Sequence, residues 1–129
     1  MVMMPLWLCI VLACIIIAAV IAIIIWKTAG STKVKILYPD SKIVRRVVPY
    51  RKKKKNGIEK IYYRTGELNK EKIWVDDVLN GPCTTYYKTG EIYIVCNYTD
   101  GALDGDWKAF DCKGNILESH QYEKGEALN

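Results

Sequence analysis

Tyr62-Tyr63-Arg64-Thr65-Gly66-Glu67-Leu68 returns 24 residues later as Tyr86-Tyr87-Lys88-Thr89-Gly90-Glu91-Ile92. The same period of 24 links Gly57, Gly81 and Gly105, and again Gly66, Gly90 and Gly114. It also links Tyr62, Tyr86 and Phe110, then Leu68, Ile92 and Ile116, then Trp74, Tyr98 and Tyr122. Five columns at one period mark an internal repeat, so the fold is built from copies of one small unit.

Each of Gly66, Gly90 and Gly114 lies between short runs rich in Tyr, Ile, Val, Thr and Trp, which favour strands. A three-residue hairpin loop, Arg64-Thr65-Gly66, places glycine where a left-handed conformation is needed. That loop sets Tyr63 opposite Glu67 and Tyr62 opposite Leu68. Alternation at period two then carries the Tyr62 and Leu68 face on to Trp74. The expected ladder is Tyr62, Leu68 and Trp74, then Tyr86, Ile92 and Tyr98, then Phe110, Ile116 and Tyr122, all on one face.

An eroded first copy precedes these. Leu37-Tyr38-Pro39-Asp40-Ser41-Lys42-Ile43 aligns with Tyr62 to Leu68 at an offset of 25, while Tyr50 aligns with Trp74 at 24. One extra residue is implied, and a bulge near Pro49 would hold it. Pro39-Asp40-Ser41 would be the loop, with Ser41 in the glycine position. A second turn, near Asn80-Gly81 or Asp104-Gly105, leads from each copy to the next. Four copies, about 33–56, 57–80, 81–104 and 105–128, predict about eight short strands in a meandering antiparallel sheet. The terminal strand is expected to present an open edge.

Ahead of the repeats, Leu6 to Trp26 is 21 residues without a charge. As a helix it reaches about 32 Å, enough for a hydrocarbon core of about 30 Å. The expected organisation is a tail at 1–4, a transmembrane helix at 5–26, a linker at 27–33 and a repeat domain at 34–129. Pro5 suits a first helical turn, and Trp7 and Trp26 sit where interfacial aromatics sit. A cleaved signal peptide would need a basic start and a shorter apolar run. Val11-Leu12-Ala13-Cys14 is a poor acylation site, because the apolar run continues past Cys14. Lys27, Lys33 and Lys35 follow the span and no basic residue precedes it. The positive-inside rule then puts the repeat domain on the cytoplasmic side or its equivalent. There the sequon Asn97-Tyr98-Thr99 would go unused. Cys83, Cys96 and Cys112 show no disulfide or metal spacing and read as reduced thiols in small apolar sites.

The pattern resembles the MORN-type repeat family, in the variant form built on Tyr-Tyr-x-x-Gly-x-Leu followed by an aromatic and Asn/Asp-Gly. The resemblance covers about residues 34–129. It is good in the two middle copies, fair in the last, where Phe110-Asp111 replaces the double Tyr, and poor in the first. Such repeats are similar to those of scaffold, membrane-associated and antitoxin-like proteins, and of large DNA viruses. The resemblance implies a fold and a binding style but no reaction.

Charge is divided. Residues 27–72 carry 15 basic and 4 acidic side chains, and residues 73–129 carry 4 basic and 10 acidic. Arg51, Lys52, Lys53, Lys54 and Lys55 form the densest run, at the turn between the first two copies. It reads first as a solvated turn, next as a contact for anionic lipid headgroups, and last as a site for nucleic acid or an acidic protein partner.

No catalytic, cofactor or metal constellation stands out. His120 is the single histidine, in a strand of the last copy. Asp76-Asp77 and the trio Asp100, Asp104 and Asp106 fall at expected turns, without the ligand pattern of a calcium loop. The expectation is a non-enzymatic, single-pass structural or adaptor protein linking a membrane to a larger protein assembly, without a small-molecule substrate. That assembly could be a coat or a viral capsid (with this chain a minor subunit), an organelle complex, or a secretion machine. An antitoxin-like or regulatory inhibitor of a protein partner is the alternative, and an anionic-lipid scaffold a further one.

Overall fold

The computed structural model describes residues 3, 5–28 and 30–128, with backbone only for residues 26–28. It divides into two compact units, Met1–Ser31 and Thr32–Asn129. The first is α1, Leu6–Thr28, whose first amide bonds go back to the Pro5 carbonyl. Proline suits this place, since its missing N–H falls where no intrahelical partner exists. Leu6–Ile25 is long and apolar enough to cross a membrane. Trp7 is exposed. The side chains of Trp26 and Lys27, expected at the other interface, lie outside the described residues.

The second unit is an open antiparallel sheet. Its long strands are β1 (Ser31–Leu37), β2 (Val44–Arg51), β4 (Gly57–Tyr62), β5 (Leu68–Val75), β6 (Val78–Tyr86), β7 (Ile92–Thr99), β9 (Gly105–Phe110) and β10 (Ile116–Glu123). Two-residue strands β3 (Lys54–Lys55), β8 (Ala102–Leu103) and β11 (Glu126–Ala127) flank the turns between copies. The order is β1-β2-β4-β5-β6-β7-β9-β10-β11, with β3 on β2 and β8 on β7. The predicted helix followed by a meander of stacked hairpins is therefore the architecture.

The predicted three-residue loops are present. Tyr63 N–H donates to the Glu67 carbonyl at 2.8 Å, and Tyr87 N–H to that of Glu91 at 2.8 Å. Gly66, Gly90 and Gly114 hold φ of 104°, 102° and 86°, as the loop demands.

Four local expectations are corrected. The first concerns the ladder. Tyr62 pairs with Leu68, but Ile61 pairs with Lys70, so Asn69 is a bulge. Tyr93 and Leu117 are bulges at the same place in the next two copies. One extra residue reverses the alternation that follows it. Tyr62, Leu68, Tyr86, Ile92, Phe110 and Ile116 therefore share one face. Trp74, Tyr98 and Tyr122 lie on the other, with Glu59, Lys72, Cys83 and Cys96. The second correction is the first copy. Tyr38 N–H bonds to the Ile43 carbonyl, so this loop has four residues, Pro39 to Lys42, and the extra residue is here rather than near Pro49. Asp40, not Ser41, takes the positive φ, at 57°. Third, the turns between copies are two-residue turns at Lys52-Lys53, Asp76-Asp77, Asp100-Gly101 and Lys124-Gly125, all at positive φ. Asn80-Gly81 lies inside β6, and Asp104-Gly105 at the junction of β8 and β9. Fourth, Asp106 is on β9, paired with Lys108 at 2.9 Å, rather than in a turn.

Copies are stitched together by hydroxyls. Tyr38 donates to the Tyr62 carbonyl at 2.7 Å, Tyr63 to that of Tyr86 at 2.8 Å, and Tyr87 to that of Phe110 at 2.8 Å. The next position in this column is Asp111. Its carboxylate caps its own loop, accepting from Lys113 N–H at 2.8 Å and Asn115 N–H at 2.9 Å. Tyr87→Phe should cost about 1 kcal/mol of stability in urea unfolding, the net worth of one hydrogen bond.

Candidate interaction surfaces

The five basic residues singled out in the sequence are not equivalent. Lys52 and Lys53 are the two central residues of a tight turn, with φ of 49° and 65°. Lys52, Lys53 and Lys54 are exposed, whereas Arg51 and Lys55 are half-buried. Lys55 turns back over the Trp74 ring, 4.4 Å from its centroid. The tip therefore presents three lysines rather than five basic groups. Its backbone is strained, because side chains other than glycine disfavour left-handed conformations. The last two copies relieve this with Gly101 and Gly125 at the position of Lys53. The second copy offsets it differently: Asp77 accepts the Lys55 N–H at 2.7 Å, and Asp76 accepts from Asn56 at 2.9 Å. Lys53→Gly should stabilise the repeat unit by about 0.5–1 kcal/mol, the relieved strain less the added freedom of the unfolded chain. A thermal melt checks this.

Next to the tip, on the face of Trp74, lies a charged cluster. Glu59 is 0% exposed and is held by Arg46, Lys72 and Trp74. Arg46 donates through Nε at 2.7 Å and also through Nη2. The Trp74 indole N–H donates at 2.7 Å, and Lys72 Nζ stands at 3.4 Å. Burial opposes ionisation of Glu59. The Trp74 N–H, the Arg46 guanidinium and the Lys72 ammonium outweigh it and hold the carboxyl below its usual range. Long basic side chains and the indole cover this carboxylate, which is how a sheet without a second layer buries a charge. Val48, Cys83 and Ala109 are the buried apolar residues of this face.

The opposite face is more open. Ile58, Ile92 and Ile116 are 52%, 45% and 58% exposed. Lys60 pairs with Glu71 at 3.2 Å, and the Tyr86 hydroxyl donates to Glu71 at 3.0 Å. Between the third and fourth copies, Ile92, Val95, Phe110 and Cys112 line a shallow apolar depression of about 420 Å³. Basic side chains from one copy's loop lie over tyrosines of the copy before it. Arg64 is 5.7 Å from the Tyr38 ring and Lys88 is 5.6 Å from that of Tyr63. On the Trp74 face, His120 sits between Trp107 and Tyr122, with centroids 5.4 and 6.5 Å away.

The cysteines depart from the expectation of three similar packed thiols. Cys112 is exposed, Cys83 is buried and Cys96 is half-buried. Cys83 and Cys96 are direct cross-strand partners on β6 and β7. Counting outward from the Gly90 loop pairs Cys83 with Val95, and only the bulge at Tyr93 moves Cys96 into place. No spacing rule in the sequence reveals that. Among the described residues no group of three or more His, Cys, Asp or Glu is placed to hold a metal ion.

A family model described as the MORN repeat variant matches residues 55–76 and 79–100. Each segment runs from the end of one turn between copies, along a hairpin, to the next such turn, and their starts are one 24-residue period apart. No curated protein matches the chain. Among solved structures, the chain is similar to one described as the crystal structure of accessory secretory protein 1, 2 and 3 in Streptococcus pneumoniae. Identity is 11% and the TM-score 0.45, over 75% of this chain and 18% of that one. The present chain thus spans under a fifth of that protein's length. The MORN matches fall on the central copies, where hydroxyl stitching, tight turns and bulges are most regular.

Proposed function

We propose that this protein is a non-enzymatic membrane adaptor, anchored by α1, whose MORN-variant sheet recruits a protein assembly. The observation that carries this reading is the union of one membrane-length apolar helix with a repeat sheet that leaves an apolar strip uncovered, formed by Ile92, Phe110 and Ile116. Isolated strips of this kind on open sheets favour protein contacts. The lysines that follow the helix support a cytoplasmic or equivalent placement of the sheet. Purification in mild detergent at low salt tests the proposal. A co-purifying assembly is expected, and Ile116→Glu, at an exposed site, should release it without lowering the melting temperature. Recovery of the native chain as a lone monomer would overturn the adaptor role.

A second reading has its own support in the tip at Lys52, Lys53 and Lys54, whose exposed ammonium groups suit an anionic lipid surface at about 1 kcal/mol each. Residues 32–129 should sediment with vesicles containing anionic lipid, and binding should fade with salt. Replacing the three lysines by Ser or Gln should abolish it, and unchanged sedimentation would end this reading.

A further inference from the structure

We propose that Cys83 and Cys96 form a peroxide-reactive dithiol, which closes to an intramolecular disulfide and clasps β6 to β7. The two residues are directly opposed on antiparallel strands. Opposed Cα atoms in such a pair are about 4.5 or 5.5 Å apart, and both separations lie within the range that a disulfide spans. The two side chains are on one face, directly across from each other. No strand movement is needed to bring them together.

The surroundings favour the reaction. Lys72 is the cross-strand partner of Cys83 on its other side, and Lys70 is two residues away on the same face. The neighbouring Cys96 thiol pulls the Cys83 thiol down to about 7, against burial and with help from Lys70 and Lys72. The Cys83 thiol beside it pushes Cys96 up, so the pair loses one proton more readily than two. Tyr98, on the same face, feels both sulfurs. The lysines and the neighbouring thiol thus favour a nucleophilic thiolate within the pair. Burial of Cys83 excludes bulky oxidants.

The chemistry balances in two steps. The Cys83 thiolate attacks one oxygen of hydrogen peroxide. The O–O bond breaks, hydroxide leaves, and Cys83 becomes a sulfenic acid. The Cys96 sulfur then attacks the Cys83 sulfur. The S–O bond breaks, the Cys96 proton leaves with the hydroxyl as water, and the S–S bond forms. Two electrons pass from the cysteine pair to the peroxide. Thiol reductants return both residues to the reduced state.

The test uses the full chain in detergent micelles, titrated with hydrogen peroxide, quenched with iodoacetamide and mapped without reduction. The expected product is a single peptide pair joining Cys83 to Cys96, lighter by two hydrogens. It should form at lower peroxide than oxidation of the exposed Cys112 and revert with dithiothreitol. In Cys96→Ser the resolving thiol is gone, and Cys83 should instead accumulate a sulfenic acid captured by dimedone. Oxidation of Cys112 while both Cys83 and Cys96 remain alkylatable would overturn the proposal. So would a folded Cys96→Ser chain with no dimedone adduct at Cys83.

Discussion

Glu59→Ala should cost the repeat unit about 3–5 kcal/mol in urea unfolding, the usual penalty for breaking a buried ion pair from one side. Removing the carboxylate leaves Arg46, Lys72 and the Trp74 N–H converging on an uncompensated site. A small domain has only about 5–15 kcal/mol to lose, so the variant should populate unfolded chain near physiological temperature. Glu59→Gln should fall between, since an amide oxygen can still accept from Trp74 but carries no charge for Arg46 or Lys72. The same cluster sets an acid limit. Glu59 has a lower pKa folded than unfolded, where 4.5 is the ordinary value. Its contribution is therefore complete above 4.5 and is lost as pH falls through the lower folded value. Native stability should drop across that acidic window and the Gln variant should show a shallower drop. A cost below about 1 kcal/mol for the Ala variant would mean that the cluster is solvated and only loosely held.

Trp74→Ala should destabilise by about 3 kcal/mol, the low end for a tryptophan truncation because the ring is half-buried. Two losses combine there. The indole N–H leaves Glu59, and Lys55 and Lys72 lose the ring they lie over, at 4.4 and 5.1 Å. Trp74→Phe keeps most of the ring and removes the donor, so it separates the two. Because Glu59 and Trp74 touch, their variants should not add; a double-mutant cycle should return a coupling of about 0.5–3 kcal/mol. Simple additivity would place Trp74 outside the cluster.

Much of this architecture was legible from residue types alone. The uncharged run from Leu6 to Trp26 specifies a helix by length and polarity, whatever it packs against. Glycine at 66, 90 and 114 marks loops because few other residues accept their backbone conformation cheaply. The hairpins follow from those loops and from the strand-forming runs beside them. The tight turns were harder. Lys52-Lys53 and Asp76-Asp77 adopt conformations usually given to Asn-Gly, and the more familiar signal at Asn80-Gly81 drew the turn four residues too late.

The extent, period and hairpin nature of the repeat were thus written in local chemistry, as was the membrane-length helix. Which side of the sheet each residue occupies was decided only by tertiary structure. Bulges at Asn69, Tyr93 and Leu117 have no distinctive composition, yet each inverts every side chain beyond it. They separate Trp74 from Tyr62, bury Glu59 among its donors and bring Cys83 against Cys96. Alternation is a local rule and register is a property of the partner strand, so the first can be read from one chain segment and the second cannot.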